Sequence, residues 1–205
     1  MIEIRLHGRG GQGTVTAAEL IAEAAFIDGK FSQAFPSFGI ERRGAPVEAF
    51  ARISDKPITL HSKIYYPDYL IIQDPTLINL DVVQQGITKK TFIVINTEKS
   101  SADFKKIFPK NTIQTIPATQ IALAILEKPI INTILLGAFA GVCSLLNPKS
   151  LTTAITARFK KDVAEKNLKA MNTAYCHCNQ NSEYCFTAEK CKIAVDGGQK
   201  FSVTC

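Results

Sequence analysis

Apolar Ile2, Ile4 and Leu6 alternate with polar Glu3, Arg5 and His7, which is the period of a half-buried strand. The period then changes. Val15, Ala18, Ile21, Ala22, Ala25 and Phe26 fall at helical spacings, Glu19 and Glu23 lie on other faces, and Asp28-Gly29 supplies a stop. The same reading predicts further strands over 31–35, 47–53, 69–73, 91–96 and 112–116. Helices are predicted over 76–84, 100–108, 118–126, 132–146, 148–158 and 161–175. Strands alternating with helices through residue 126, followed by helices alone, predict an α/β fold. Its core would be a mainly parallel, Rossmann-like sheet with helices on its faces and a helical C-terminal layer. Strands buried on both faces read as continuous apolar runs. The alternation over 2–7 and 47–53 breaks that rule, so part of the sheet is expected to be mixed or to give one face to a partner.

Between the first strand and helix lies His7-Gly8-Arg9-Gly10-Gly11-Gln12-Gly13-Thr14, with four glycines in six positions. A turn made of backbone lets phosphate oxygens approach main-chain N–H groups, and the helix start behind it adds about half a positive charge. Gly8, Gly10 and Gly13 satisfy G-x-G-x-x-G, a dinucleotide pattern that needs an acidic residue about twenty positions later for a ribose hydroxyl. Here the second strand ends in Ala34-Phe35-Pro36, and Asp28 falls too early. An ordinary NAD site is therefore disfavoured. Arg42 and Arg43, in the loop after that strand, would suit an extra phosphate and keep NADP open. A nucleotide triphosphate loop lacks support, because no lysine follows Gly13. The bland alternatives are a tight strand-to-helix crossing and an arginine pair that is solvated or bridged to Glu41 and Glu48.

Composition narrows the partners. The chain has 205 residues, 46% hydrophobic and 20% charged, with a net charge of +6, as expected for a domain with a substantial core and an appendage that meets acidic ligands or partners. No basic run with interleaved aromatics argues for nucleic acid. The apolar stretch 130–146 is interrupted by Asn132, Thr133, Gly137, Gly141 and Ser144, which fits a buried helix and not a membrane span. Nothing at Met1 to Ile4 reads as a secretory signal. A cytoplasmic location is expected.

Cysteines divide the molecule. Only Cys143 precedes residue 175, while Cys176, Cys178, Cys185, Cys191 and Cys205 follow. The expected division is a main domain over 1–174 and a cysteine-rich extension over 175–205. Asp196-Gly197-Gly198-Gln199 between two apolar runs predicts a hairpin there. Cys176, Cys178, Cys185 and Cys191 are the candidate metal ligands, but their C-x-C-x6-C-x5-C spacing matches neither a paired zinc site nor a ferredoxin run. No metal is assigned. Thiols of a docking extension rank first, a metal second and disulfides last. His7, His61 and His177 have no sequence partner that makes an acid, base or nucleophile, so no catalytic residue is assigned either.

Five motifs in order carry a resemblance. They are residues 7–13, Ala34-Phe35-Pro36-Ser37-Phe38-Gly39-Ile40-Glu41-Arg42-Arg43-Gly44-Ala45-Pro46, Gln73-Asp74-Pro75-Thr76, Ile95-Asn96-Thr97, and Asn132-Thr133-Ile134-Leu135-Leu136-Gly137-Ala138. Over about residues 1–174 the chain resembles the gamma subunit, or gamma domain, of the 2-oxoacid:ferredoxin oxidoreductases. The resemblance implies a complex that decarboxylates a 2-oxoacid on thiamine diphosphate, passes electrons through iron–sulfur clusters to ferredoxin and forms acyl-coenzyme A. Thiamine, Mg and the clusters would belong to alpha, beta and delta-type partner subunits. Coenzyme A would lie on or next to this chain; a homodimer is one reading of the isolated chain, whose oligomeric state the sequence does not fix. The implied coenzyme residues are Gly8, Arg9, Gly10, Gly11, Gln12, Gly13, Thr14, Arg42 and Arg43. Asn132 joins them as a motif residue that could equally be a helix cap. Two alternatives remain: a scaffolding subunit that binds no ligand, and a stand-alone NADP oxidoreductase. Which 2-oxoacid the complex uses is not fixed by this chain.

Overall fold

A computed structural model describes residues 1–37 and 43–179, together with the backbone of strands at 192–195 and 201–204. The chain runs β1 (Ile2–Arg9), α1 (Thr14–Ile27), β2 (Phe31–Pro36), β3 (Pro46–Ser54) and β4 (Tyr69–Ile72). It continues through α2 (Asp81–Gln84), β5 (Phe92–Asn96), β6 (Ile113–Ile116), α3 (Ala118–Leu126), α4 (Asn132–Val142), α5 (Pro148–Arg158) and α6 (Lys161–Cys178). β7 (Lys192–Val195) and β8 (Phe201–Thr204) pair antiparallel, as the hairpin signal predicts.

The main sheet has the order β2-β3-β1-β4-β5-β6. β1 is parallel to β4, and β4, β5 and β6 are parallel in turn, whereas β3 runs antiparallel to both β1 and β2. The alternating strands are the mixed part of the sheet. From β1 the chain crosses to one side, through α1 to β2, and from β4 it moves to the other, through β5 to β6. The crevice between the carboxyl ends of β1 and β4 is therefore a topological switch point, where open α/β sheets bind ligands.

One face of the sheet is dry. Ile4, Leu6, Ala49, Ala51, Ile71, Val94 and Ile116 pack against α1, α3, α4, α5 and α6 in a single buried cluster. The other face differs along its length. Under β4 and β5, Leu70, Ile72, Ile93 and Ile95 meet Leu77, Val83, Phe104 and Phe108; the first three of these partners sit on α2 and on single 3-10 turns, and Phe108 lies in the loop before β6. Under β1 and β3 most of the inward residues are polar, although Phe50, opposite Arg5, is buried there as well. Arg52 is fully buried and donates to Glu3 Oε1 (2.8 Å), Gln33 Oε1 (3.3 Å) and the carbonyls of Leu60 (3.3 Å) and Ser62 (2.6 Å). Arg5, also buried, donates to the carbonyls of Val83 (3.0 Å) and Gln85 (2.7 Å). The polar side of β1 is thus covered by the chain's own residues.

Two expected helices shrink. Over 76–84, Asp74 caps a 3-10 turn at Pro75–Leu77 and Leu80 is extended, leaving only the four residues of α2. Over 100–108, a Ser100–Asp103 capping box closes only the 3-10 turn Ser101–Phe104. Isolated short helices are marginal without a long buried stripe, and these segments each contribute a few apolar anchors. α4 stops at Val142, where Cys143 turns extended. α6 runs through residue 174 to Cys178. Among the described residues no helix is long and apolar enough to cross a membrane.

Candidate functional site

The glycine turn sits at the switch point. Gly13, at φ 74°, is the residue before α1, and the helix starts with no side-chain cap and no acidic residue in its first turn. A left-handed backbone costs a residue with a Cβ about 1–2 kcal/mol, so glycine is the natural occupant. Within the turn Gly10 N–H donates to the Ala45 carbonyl (2.9 Å) and Gln12 N–H to that of Arg9 (3.0 Å). The N–H groups of Gly11, Gly13, Thr14 and Val15 donate to no partner among the described residues. These are the orphan donors of a helix start. Such free N–H groups at a helix start are able to receive an anion.

The glycines divide the work. A Cβ on Gly8 would meet Thr14 Oγ1 at 2.3 Å and Gln73 Oε1 at 2.5 Å, and one on Gly13 would meet Asn132 Nδ2 at 2.6 Å. Both close on the chain's own side chains. Gly11 is exposed, and a Cβ there would meet nothing within 4 Å. The sequence reads all these glycines as room for phosphate, whereas the structure assigns Gly8 and Gly13 to internal packing and leaves Gly11 on the open side.

Arg9 is bonded within the chain. Its Nε donates to Asp74 Oδ2 (2.9 Å), Nη1 to the Gly44 carbonyl (3.0 Å) and Nη2 to Thr76 Oγ1 (2.6 Å). Gln12 joins the network: its Oε1 accepts from Arg9 N–H (2.8 Å) and its Nε2 donates to Asp74 Oδ2 (3.3 Å). Burial pushes the Asp74 carboxyl upward, but hydrogen bonds from Thr76 and the Arg9 charge outweigh it and hold its pKa below the ordinary value. The carboxylate stays ionised at neutral pH.

Beneath the turn lies an uncharged polar layer. Thr14 Oγ1 donates to Gln73 Oε1 (2.8 Å), and Asn96 Nδ2 donates to the Gln73 carbonyl (2.9 Å) and to Thr119 Oγ1 (3.0 Å). Gln73 is fully buried, and its Nε2 has no hydrogen-bond partner among the described residues. An orphaned buried donor is costly. Asn132 reaches the site as well, packed against Gly13, with its Oδ1 accepting from Thr133 N–H (2.9 Å). It is the first residue of α4 and not its cap, which is Ile131.

Besides the Arg9 side chain, two backbone bonds join the described part of the β2–β3 loop to the turn, Gly10 N–H to Ala45 O and Gly44 N–H to Gly10 O (3.0 Å). Arg43 is exposed and forms no ion pair among the described residues. Glu48, the expected competitor for the arginines, lies 3.7 Å from His7 and 4.0 Å from Lys63. Arg42 and Glu41 lie outside the described residues. Beside the turn, Thr76, Thr97, Lys99 and Phe104 line a cavity of about 380 Å³ beyond the ends of β4 and β5.

Gln73, Asp74, Thr76 and Asn96 were not singled out as site residues by sequence reasoning, although each ends or follows a parallel strand. The switch-point rule applied to those strand ends would have found them. Of the histidines, His7 is buried, and burial first and Arg5 second depress its pKa to about 3. It is neutral and unsuited to proton transfer at neutral pH.

The cysteine reading needs correction. Cys176 is disulfide-bonded, where disulfides ranked last. It and Cys178 lie on α6, and side chains two apart on a helix do not face each other, so the C-x-C pair does not chelate one ion there. Burial raises the Cys178 and Cys143 thiols to about 12. Cys185 and Cys191 lie outside the described residues. Among the described residues no three His, Cys, Asp or Glu side chains gather as a metal site.

Comparison with known proteins converges on one group. Residues 3–176 match the model of the family described as pyruvate ferredoxin/flavodoxin oxidoreductase. Pyruvate synthase subunit PorC of Methanocaldococcus jannaschii is 54% identical over 175 residues, covering 85% of this chain and 96% of that protein. Among solved structures, pyruvate oxidoreductase subunit PORC of Thermotoga maritima superposes with a TM-score of 0.75 at 34% identity, over 85% of this chain and 94% of that one. A 2-oxoglutarate:ferredoxin oxidoreductase from Magnetococcus marinus, with 2-oxoglutarate, coenzyme A and succinyl-CoA bound, shares the fold. Its TM-score is 0.74 at 19% identity, over 89% of this chain and 32% of that chain.

Proposed function

Because this chain belongs to the pyruvate ferredoxin/flavodoxin oxidoreductase family, as a gamma-type subunit of that oxidoreductase, we propose that its carboxyl sheet edge is the coenzyme A platform of the complex. The observation that carries the reading is the uncapped start of α1 at the switch point. Its orphan N–H groups lie behind an exposed Gly11, with no first-turn carboxylate to repel an anion.

The residues present fit a polyphosphorylated coenzyme. Gly11, Gly13, Thr14 and Val15 would donate main-chain N–H groups to phosphate oxygens, and Arg42 and Arg43 would add charge from the adjacent loop. The orphaned Gln73 amide offers a further buried donor beneath. No acidic residue is required at the end of β2, as it would be for NAD. The coenzyme A bound in the Magnetococcus marinus oxidoreductase adds support from a protein of the same fold. When bound, coenzyme A supplies the thiol that takes up the acyl group. This chain's part is to bind and orient it, for no described side chain is poised as acid, base or nucleophile. Alpha, beta and delta-type partners would hold thiamine diphosphate, Mg and the iron–sulfur clusters, and ferredoxin would receive the electrons.

The test uses the assembled oxidoreductase with Arg42→Ala and Arg43→Ala together. Each charge-assisted bond to phosphate contributes about 1.5–3 kcal/mol, and about 1.4 kcal/mol is tenfold. The apparent coenzyme A KM should rise about tenfold or more, with coenzyme A-independent reduction of the thiamine intermediate retained. An unchanged coenzyme A dependence would sink the phosphate role.

A further inference from the structure

Arg9 is the most heavily committed side chain of the glycine turn, and none of its acceptors is a ligand. Its guanidinium spans three separate loops of the carboxyl edge: its own turn, the end of β4 through Asp74 and Thr76, and the start of β3's approach through the Gly44 carbonyl. Gly44 is gripped on both sides, since its N–H donates to Gly10 O (3.0 Å) while its carbonyl, in the peptide to Ala45, accepts from Arg9 Nη1 (3.0 Å). Asp74 is itself oriented by Thr76, accepting from its N–H (3.0 Å) and Oγ1 (2.6 Å). The guanidinium is therefore held by an acceptor that is already fixed.

We propose that Arg9 is the positioning residue of this site: anchored by Asp74 and Thr76, it holds Gly44 against the glycine turn and so sets the place of Arg43 beside the α1 N-terminus. This rests on the coenzyme A reading above. It differs from the sequence expectation, in which Arg9 contacts the coenzyme. A planar fork that reaches three acceptors at once is what arginine offers and lysine does not. Asp74 gives the discriminating substitution. Asp74→Asn removes the anchor and makes the site more positive. If Arg9 were a ligand charge, that change would free it and strengthen coenzyme binding; if Arg9 positions the loop, binding weakens.

The experiment compares the assembled oxidoreductase carrying Arg9→Gln, Asp74→Asn, or the Arg42→Ala/Arg43→Ala pair. For the first two, tryptic cleavage of the Arg43–Gly44 bond is followed by mass spectrometry alongside the coenzyme A KM and kcat. Release of a tethered segment raises the population of its cleavable form. Both Arg9→Gln and Asp74→Asn should speed cleavage about tenfold and raise the coenzyme A KM about tenfold, with kcat at saturating coenzyme nearly unchanged. Asp74→Asn serves on its own if Arg9→Gln does not assemble. Unchanged cleavage in either variant overturns the tether. A raised KM in Arg9→Gln with a lowered or unchanged KM in Asp74→Asn makes Arg9 a ligand contact and overturns its positioning role. Faster cleavage with KM unmoved, while the Arg42/Arg43 pair raises it, overturns the positioning role and leaves the coenzyme reading standing. If the Arg42/Arg43 pair also leaves KM unmoved, both proposals fall together.

Discussion

The two sides of β1 solve burial in opposite ways. Ile4 and Leu6 enter a dry cluster roofed by five helices, while Arg5 and His7, one residue out of phase, are buried almost as completely on the other side. The dry side works by area, at about 25 cal/mol per Å², and tolerates imprecision in any one contact. The polar side works by hydrogen bonding, even though Arg5 Nε and His7 Nε2 have no hydrogen-bond partner among the described residues. Arg52 must find Glu3, Gln33 and two carbonyls of the segment that folds over it, because a buried charge without partners costs several kcal/mol. Alternation in a sequence therefore marks two different neighbours and not necessarily water on one side.

The largest break in that comparison should come from Arg52→Met. Removing the guanidinium leaves the Glu3 carboxylate and the Leu60 and Ser62 carbonyls unpaired, at an expected cost of about 3–5 kcal/mol. Leu6→Ala on the dry side should cost about 2–5 kcal/mol through a cavity. Urea denaturation reads both as shifts in midpoint. The two should separate in exposure, since Arg52→Met loosens the segment that covers it and Leu6→Ala does not. Equal rates of tryptic cleavage after Lys63, beside that segment, in the two variants would erase the distinction.

A smaller effect comes from His7, which faces Arg5, Glu48 and, through Glu48, Lys63. Its folded pKa of about 3 lies below the unfolded 6.5, so between those values the unfolded chain binds the extra proton. Stability should fall as pH drops from about 6.5 toward 3, by at most about 1.4 kcal/mol per pH unit from this group. Above pH 7 the contribution is flat. His7→Gln should remove that part of the slope in denaturation series across pH. An unaltered slope would mean that His7 is not held neutral by the polar layer.

Local patterns foretold much of the fold, and their failures have a common cause. β1, the glycine turn and α1, together with α3 and α5, follow from period and punctuation within one segment. The helices expected near 76–84 and 100–108 shrink because their apolar residues serve as single anchors under the sheet and do not form a continuous stripe. At the site, the glycine turn was legible because its sequence departs sharply from its surroundings. The roles within it were not. That Gly8 closes on Thr14 and Gln73, and that Arg9 turns to Asp74, depends on the register of β1 against β4, which is 59 to 65 residues away in sequence. Nor does spacing alone encode the Cys176 disulfide or the extension of α6 to Cys178.

The central claim is that the turn between β1 and α1 receives the coenzyme. Hydrogen–deuterium exchange of the assembled oxidoreductase, with and without coenzyme A, tests it most directly, because the orphan N–H groups of that turn are the proposed contacts. The account predicts that coenzyme A slows exchange at Gly11, Gly13, Thr14 and Val15 more than anywhere else on this chain. Saturating coenzyme A that leaves those amides unchanged, while protecting another part of the complex, would contradict it.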